Sequence, residues 1–150
     1  MAFLVKATIQ AVHSYLLSSG YVTEAQVGEP KAPPKTGLAA AVYMNRVSVA
    51  SLTLSKTIEL HVLTLRLYRD MLVEPLDEIE FTLAEAVSKI MEDLLGEYDL
   101  GATIRHVDAG GIYGTSVGAT WGYIDVGGTL FRTVDITLPL VVDDSATLAA

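Results

Sequence analysis

Cysteine is absent from the 150-residue chain. Disulfides and thiolate chemistry are therefore excluded, and cysteine usage says nothing about the redox compartment. Long apolar runs are absent too, and no stretch approaches the roughly 18 residues that would span a bilayer as a helix. The segment Met1–Ser19 carries one base, Lys6, and is interrupted by Gln10, His13 and Ser14. It does not read as a secretory leader. Bases are scarce: ten Lys+Arg stand against eighteen Asp+Glu, a net charge of −8. A chain of pI near 4.7 is poorly equipped to neutralise nucleic-acid phosphates.

Apolar side chains are what the chain has in abundance. They make up 51% of the residues, against 19% charged, which excludes wholesale disorder. A mass of 16.0 kDa is one domain's worth, residues 1–150. The mean hydropathy of +0.41 is high for so small a domain. Apolar surface must then be covered somehow, and burial between subunits is one outlet. The charge is uneven as well. Asp70–Asp99 holds ten acids and one base, Lys89, for −9, while the other 120 residues hold eight acids and nine bases, for +1. A solvated helix face is the plain reading of such a segment. An electronegative wall is the functional one.

Along the chain, Val5, Ile9, Val12 and Leu16 form one apolar stripe, which predicts a helix over Ala2–Ser19 stopped by Gly20. Residues 21–37, punctuated by Gly28, Pro30, Pro33, Pro34 and Gly37, read as a long loop and candidate contact arm. Leu38–Val49 and Leu52–Met71 read as a long β-hairpin. In the second strand Leu52, Leu54, Ile58, Leu60 and Val62 alternate with polar residues, including Glu59 and His61. The phase then flips, and Leu63, Leu65 and Leu67 become the apolar set. Either a β-bulge near Val62–Leu63 restores the register, or the two halves of the strand bury opposite faces. Pro75 and the acids after it open a second helix to about Gly96, with Ile79, Leu83, Val87, Ile90 and Leu94 inward. Thr103–Asp108 reads as a short strand and Ala109–Gly118 as a Gly-rich loop. Trp121–Val126 and Thr129–Val142 read as a hairpin around Gly127–Gly128, and 143–150 as a flexible tail. The expectation is an α+β domain with a mostly antiparallel sheet, a long β-hairpin and two helices packed on one face, in the order α-β-β-α-β-β-β.

Motifs for chemistry are thin. Gly114-Thr115-Ser116-Val117-Gly118 matches the nucleophile-elbow spacing, but that turn needs a strand before it and a helix after it. Here a strand follows, so a flexible loop is the better reading. His106 and Asp108 could share a strand face, yet His13 and His61 supply no ligand spacing for a metal. Glu92 and Asp93 are neighbours on a helix, and their side chains diverge. Gly110-Gly111-Ile112-Tyr113-Gly114 lacks the strand–helix setting of a phosphate loop. Trp121, Tyr123 and Tyr113 flank the Gly-rich loop. Core packing is the default for each, with an aromatic anchor at an interface as the sharper alternative.

Several local strings carry a family resemblance. They are Glu29-Pro30-Lys31-Ala32-Pro33 before Gly37-Leu38-Ala39-Ala40-Ala41-Val42, and Arg66-Leu67-Tyr68-Arg69-Asp70-Met71-Leu72 running into Glu74-Pro75-Leu76-Asp77. They continue with Gly111-Ile112-Tyr113-Gly114, Gly122-Tyr123-Ile124 and Phe131–Leu140. Together, over about residues 29–144, the chain resembles the tail terminator family of long-tailed bacteriophages, especially those of actinobacteria. The resemblance implies a structural virion protein: a hexameric ring on the head-proximal end of the tail tube, which ends tube polymerisation and docks to the neck. It implies no enzyme activity, no catalytic residues, no metal and no cofactor. Its implied partners are other copies of the chain, the major tail tube protein and a head-completion or stopper neck protein. DNA passes only as cargo, and no membrane is involved. On this reading Leu63, Leu65, Leu67, Arg66 and Tyr68 are expected at a subunit interface, and Tyr113, Ser116 and Trp121 in a docking loop. Glu78, Glu85, Glu92 and Asp93 are expected on an exposed acidic face, on either the channel wall or the outer rim. A head–tail adaptor or stopper is the nearest competing reading. A small enzyme or ligand-binding dimer using the Gly-rich loop is the more distant one.

Overall fold

The computed structural model describes residues 5–28, 37–52, 57–71, 75–96, 106–108, 110–112 and 114–146. Its elements are α1 (Val5–Ser19), β1 (Glu24–Val27), β2 (Leu38–Leu52), β3 (Thr57–Asp70), α2 (Leu76–Gly96), β4 (His106–Val107), β5 (Gly118–Val126) and β6 (Thr129–Ala146). The fold is α+β, with two helices and a mixed, mostly antiparallel sheet. With the two-residue β4 set aside, five strands follow the order α-β-β-β-α-β-β, not the expected α-β-β-α-β-β-β.

The difference begins at β1, inside the segment expected to be loop. Its four residues pair in parallel with Ala39–Val42 of β2. They carry no apolar alternation and are largely exposed, so periodicity gave no sign of them. Backbone bonds at both ends hold the strand: Thr23 N donates to Leu38 O and Gly28 N to Val42 O, each at 2.8 Å. Gly37 makes the approach possible. Its φ is +70°, and a Cβ there would lie 2.5 Å from the Thr23 side chain.

The long hairpin forms as expected, β2 pairing antiparallel with β3. The phase flip in β3 is a change of buried face and not a bulge in β3. β3 runs against β6 without a slip from Ile58 to Asp70, so its two halves do bury opposite faces. A bulge does occur, on the neighbouring strand. Met44 pairs with Leu63 and Arg46 with Val62, leaving Asn45 as the extra residue in β2. A second irregularity lies between Val49 and Ser51.

The sheet order is β1-β2-β3-β6-β4, with β5 also on β6. β3 covers one edge of β6, so β4 (beside Leu140 and Val141) and β5 (beside Thr129–Thr137) share the other. The β5–β6 turn has Gly127 and Gly128 at φ 58° and 88°, the primed geometry expected, and Asp125 Oδ1 accepts from Gly128 N at 2.8 Å. β6 extends to Ala146, so residues 143–146 are strand rather than tail. Ile58 faces Asp143 and Thr57 faces Ala146, a slip that admits the polar pair after Asp143. Of the expected strand Thr103–Asp108, the two residues His106–Val107 are β4, and 103–105 lie outside the described residues.

Both helices lie on one face. Val12 and Leu16 of α1 and Ile79, Leu83, Val87, Ile90 and Leu94 of α2 share a core with Leu63, Leu65 and Leu67 of β3 and Val134, Ile136, Leu138, Leu140 and Val142 of β6. Burying each large side chain contributes about 1.5–3 kcal/mol. The other face carries no helix among the described residues. It has two smaller apolar clusters, Ala39, Ala41, Tyr68, Val126 and Phe131 at one end and Leu60, Val62 and Val141 at the other.

Candidate functional site

Strand β5 carries large apolar side chains that are exposed. The register of β5 on β6 sets Trp121 opposite Val134 and Tyr123 opposite Arg132, on the helix side of the sheet. Trp121 is 39% exposed and Tyr123 61%. The Arg132 guanidinium lies 4.4 Å from the Tyr123 ring centre and donates to Gly122 O and to the Glu80 carboxylate of α2. That pair holds the Arg132 guanidinium above its ordinary pKa against the opposing effect of burial. Leu130, opposite Asp125 of β5, is exposed too, as are Leu76 and Phe81 of α2. At the opposite edge of the sheet, Val27, Val47 and Val49 are exposed as well.

The helix-free face carries a shallow polar concavity of about 530 Å³, lined by Tyr43, Thr64, Arg66, Thr120, Asp135 and Thr137 among others. Arg66 Nη2 lies 2.9 Å from Asp135 Oδ2, and Nε meets the other oxygen, a bidentate pair across β3 and β6. The bonds to Asp135 raise the Arg66 pKa, outweighing burial. Tyr43 adds its ring 5.8 Å from the guanidinium.

The Gly-rich loop is clamped at its base. Asp108 is buried, its Oδ1 accepts from Ile112 N at 2.9 Å, and its own N donates to Pro139 O at 2.9 Å. Arg46 of β2 donates to Thr115 Oγ1 at 2.7 Å. With strands spaced about 4.8 Å apart, that bond draws the loop across the helix-free face from the β6 side. Ser116 is exposed on this loop and is followed by strand β5, so the helix a nucleophile elbow requires is not there. Tyr113 lies outside the described residues. Among the described residues no group of three or more His, Asp or Glu is placed to hold a metal ion, and no helix is long and apolar enough to cross a membrane.

The residues expected at a subunit interface divide between the two faces. Leu63, Leu65 and Leu67 have no exposed surface and lie in the chain's own core beneath the helices. Replacing Leu63 and Leu65 by Asp would place charges in that core and unfold the subunit, so it could not report on contacts between copies. Arg66 and Tyr68 are on the helix-free face. Arg66 is engaged with Asp135, and Tyr68 packs edge-on to Phe131 at 6.0 Å. The expected acidic face is only partly acidic surface. Glu78, Glu85 and Glu92 are exposed, with Lys89 2.9 Å from Glu85. Asp93 instead accepts from the Tyr15 hydroxyl at 2.8 Å and ties α2 to α1.

Sequence reasoning singled out Trp121 but missed its setting. Phe81 falls off the buried stripe of α2, which was the available signal. Leu130 shares parity with core residues and gave none. The Arg66–Asp135 pair depends on cross-strand register, which pairing alone reveals. No family model and no curated protein matches the chain.

Proposed function

We propose that this chain is a structural ring subunit, the tail terminator of a long-tailed phage, assembling as a hexamer on the head-proximal end of the tail tube. There it ends tube polymerisation and presents the surface that the neck protein binds. One observation carries the self-assembly: two unlike apolar surfaces lie at opposite edges of one sheet, Trp121, Tyr123 and Leu130 at one and Val27, Val47 and Val49 at the other. Unlike patches at opposite ends of a subunit generate head-to-tail contacts, and these close into rings when the rotation allows. The step from a ring to a tail terminator rests on the sequence resemblance over residues 29–144. In this role the chain performs no catalysis, holds no cofactor, and passes DNA as cargo.

The test is a phage in which this gene is silenced. The expected phenotype is tubes of uncontrolled length without heads, restored to uniform length by the protein in trans. Tails of normal length left unjoined to normal heads would instead identify a neck adaptor or stopper. Ser116→Ala is expected to complement fully, and loss of plaque formation by that variant would reopen the enzymatic reading.

A further inference from the structure

Among the described residues β5 is hydrogen-bonded only on its β6 side. Its nine residues, Gly118–Val126, run beside β6 without a register slip and include neither Lys nor Pro. The loop before it is led away from the free edge, because the bond from Arg46 to Thr115 draws that loop across the helix-free face. A long edge is normally blunted by a lysine, a proline or a bulge, since its unpaired N–H and C=O groups recruit further strands. This edge has none of the three. We propose that the free chain covers it with a second copy of itself: β5 pairs antiparallel with β5 of the partner copy, about a two-fold axis that passes through Gly122 perpendicular to the sheet. The inference goes beyond the function proposed above and concerns the chain before it assembles. The dimer and the ring contact use the same edge and exclude each other, so the dimer must open before a ring closes.

Three features select this occupant and this register. The first is length. With Gly122 opposite itself, Gly118 meets the partner's Val126, and all nine residues of each strand are paired. Any other two-fold register leaves part of both edges uncovered. The second is the match of side chains. Trp121 and Tyr123 stand beside Val134 and Arg132 on the helix side, and both are exposed. In this register each Trp121 faces the partner's Tyr123, so two Trp–Tyr pairs join across the axis and leave water together. Arg132, 4.4 Å from the Tyr123 ring centre and bonded to Glu80, closes the aromatic row on each side. The third is charge. Asp125 is the only charged residue of β5 and faces the partner's Ala119. The two Asp125 carboxylates then lie at opposite ends of the junction, about 20 Å apart at the strand rise. Repulsion between them is screened over about 8–10 Å. An axis through Tyr123 would instead set each Asp125 against the partner's Trp121.

The chain has no cysteine and a single tryptophan, Trp121, so the junction can be probed without background. Gly122→Cys and Gly118→Cys are made separately in the full chain, and a Cβ at either position meets nothing closer than 3.6 Å. Folding is verified by circular dichroism, and the protein is treated with a short bis-maleimide. The expected result is a covalent dimer for Gly122→Cys, whose thiols face each other across the axis. Gly118→Cys should stay monomeric under the same treatment, because its thiols stand about 27 Å apart. The unmodified chain should sediment as a dimer at micromolar concentration, and Trp121 emission should shift to longer wavelength on dilution as the dimer parts. Trp121→Lys, which adds the missing edge lysine, should sediment as a monomer. A monomeric unmodified chain would overturn the inference, as would a free ring in solution or equal cross-linking of the two cysteine variants. If Gly122→Cys does not fold, sedimentation of the unmodified chain against Trp121→Lys decides the matter. Tail length in the silenced phage reads the proposed function separately, so the two failures are distinguishable.

Discussion

Glu59 and His61 sit two apart on β3 and have no exposed surface. His61 Nε2 lies 2.6 Å from Glu59 Oε1, and Nδ1 lies 3.0 Å from Thr8 Oγ1 of α1, which is itself buried. The second carboxylate oxygen, Oε2, is buried with no hydrogen-bond partner. Such a group depends on the His61 imidazole beside it. His61→Leu is therefore expected to cost about 3–5 kcal/mol in urea denaturation, because it strands a buried carboxylate. Adding Glu59→Leu to that variant should recover most of the loss, since a well-packed apolar pair replaces the buried polar one. A loss in the double variant equal to the sum of those in His61→Leu and Glu59→Leu would show that the pair is not coupled. These two residues also mark where the sequence misled. Alternation with Leu60 and Val62 assigned Glu59 and His61 to the polar side. Alternation distinguishes two faces of a strand but does not say which one the helices cover. Here both faces are buried, and α1 covers the one carrying Glu59 and His61.

At the scale of elements, patterned segments were legible and paired ones were not. The stripes of α1 and α2 and the Gly127–Gly128 hairpin follow from periods of 3.6 and 2 and from turn chemistry. β1 exists because β2 offers an edge, and β6 reaches Ala146 because β3 is there to pair with it. Neither partner can be read from the segment itself. Of the two readings of the phase flip at Val62–Leu63, the change of buried face holds and the bulge in β3 does not, while the bulge at Asn45 in β2 left no sign in β3. The same logic explains why Trp121 was a candidate while Val47 and Val49 were not. Their exposure follows from the bulge and from where β1 stops. Gly37 is the hinge of this arrangement, and Gly37→Ala tests it. A side chain at φ +70° costs about 1–2 kcal/mol. The contact with Thr23 adds to that cost and pushes β1 away from β2. The expected outcome is a fall in Tm of several degrees, with faster amide exchange at Gly28, whose N–H bonds to Val42 O. Unchanged exchange there would mean that β1 does not depend on the close approach at Gly37.

The whole molecule has two dissimilar faces, and a closed ring must turn one of them inward. The helix side is bulky and carries the exposed acids Glu78, Glu85 and Glu92. The helix-free side carries the polar Arg66–Asp135 concavity between two small apolar clusters. In the proposed ring the outer layer has the longer circumference, so the bulkier helix side is expected outside and the other face toward the channel. The acidic excess of Asp70–Asp99 then sits on the outer rim, where its effect is solubility and choice of neighbours. Charges there are screened over about 8–10 Å at physiological salt and cannot act on DNA in the bore. The sign of the outcome differs between the two placements. Glu85→Lys with Glu92→Lys should leave genome release unchanged even at low salt. Thr137→Lys, on the helix-free side of β6, would put a cation into the channel, attract passing phosphates and slow release most at low salt. Both variants are read as release rates from virions with tails of normal length. Slowing by the α2 pair, with Thr137→Lys silent, would turn the ring inside out and put the acidic helix against the DNA.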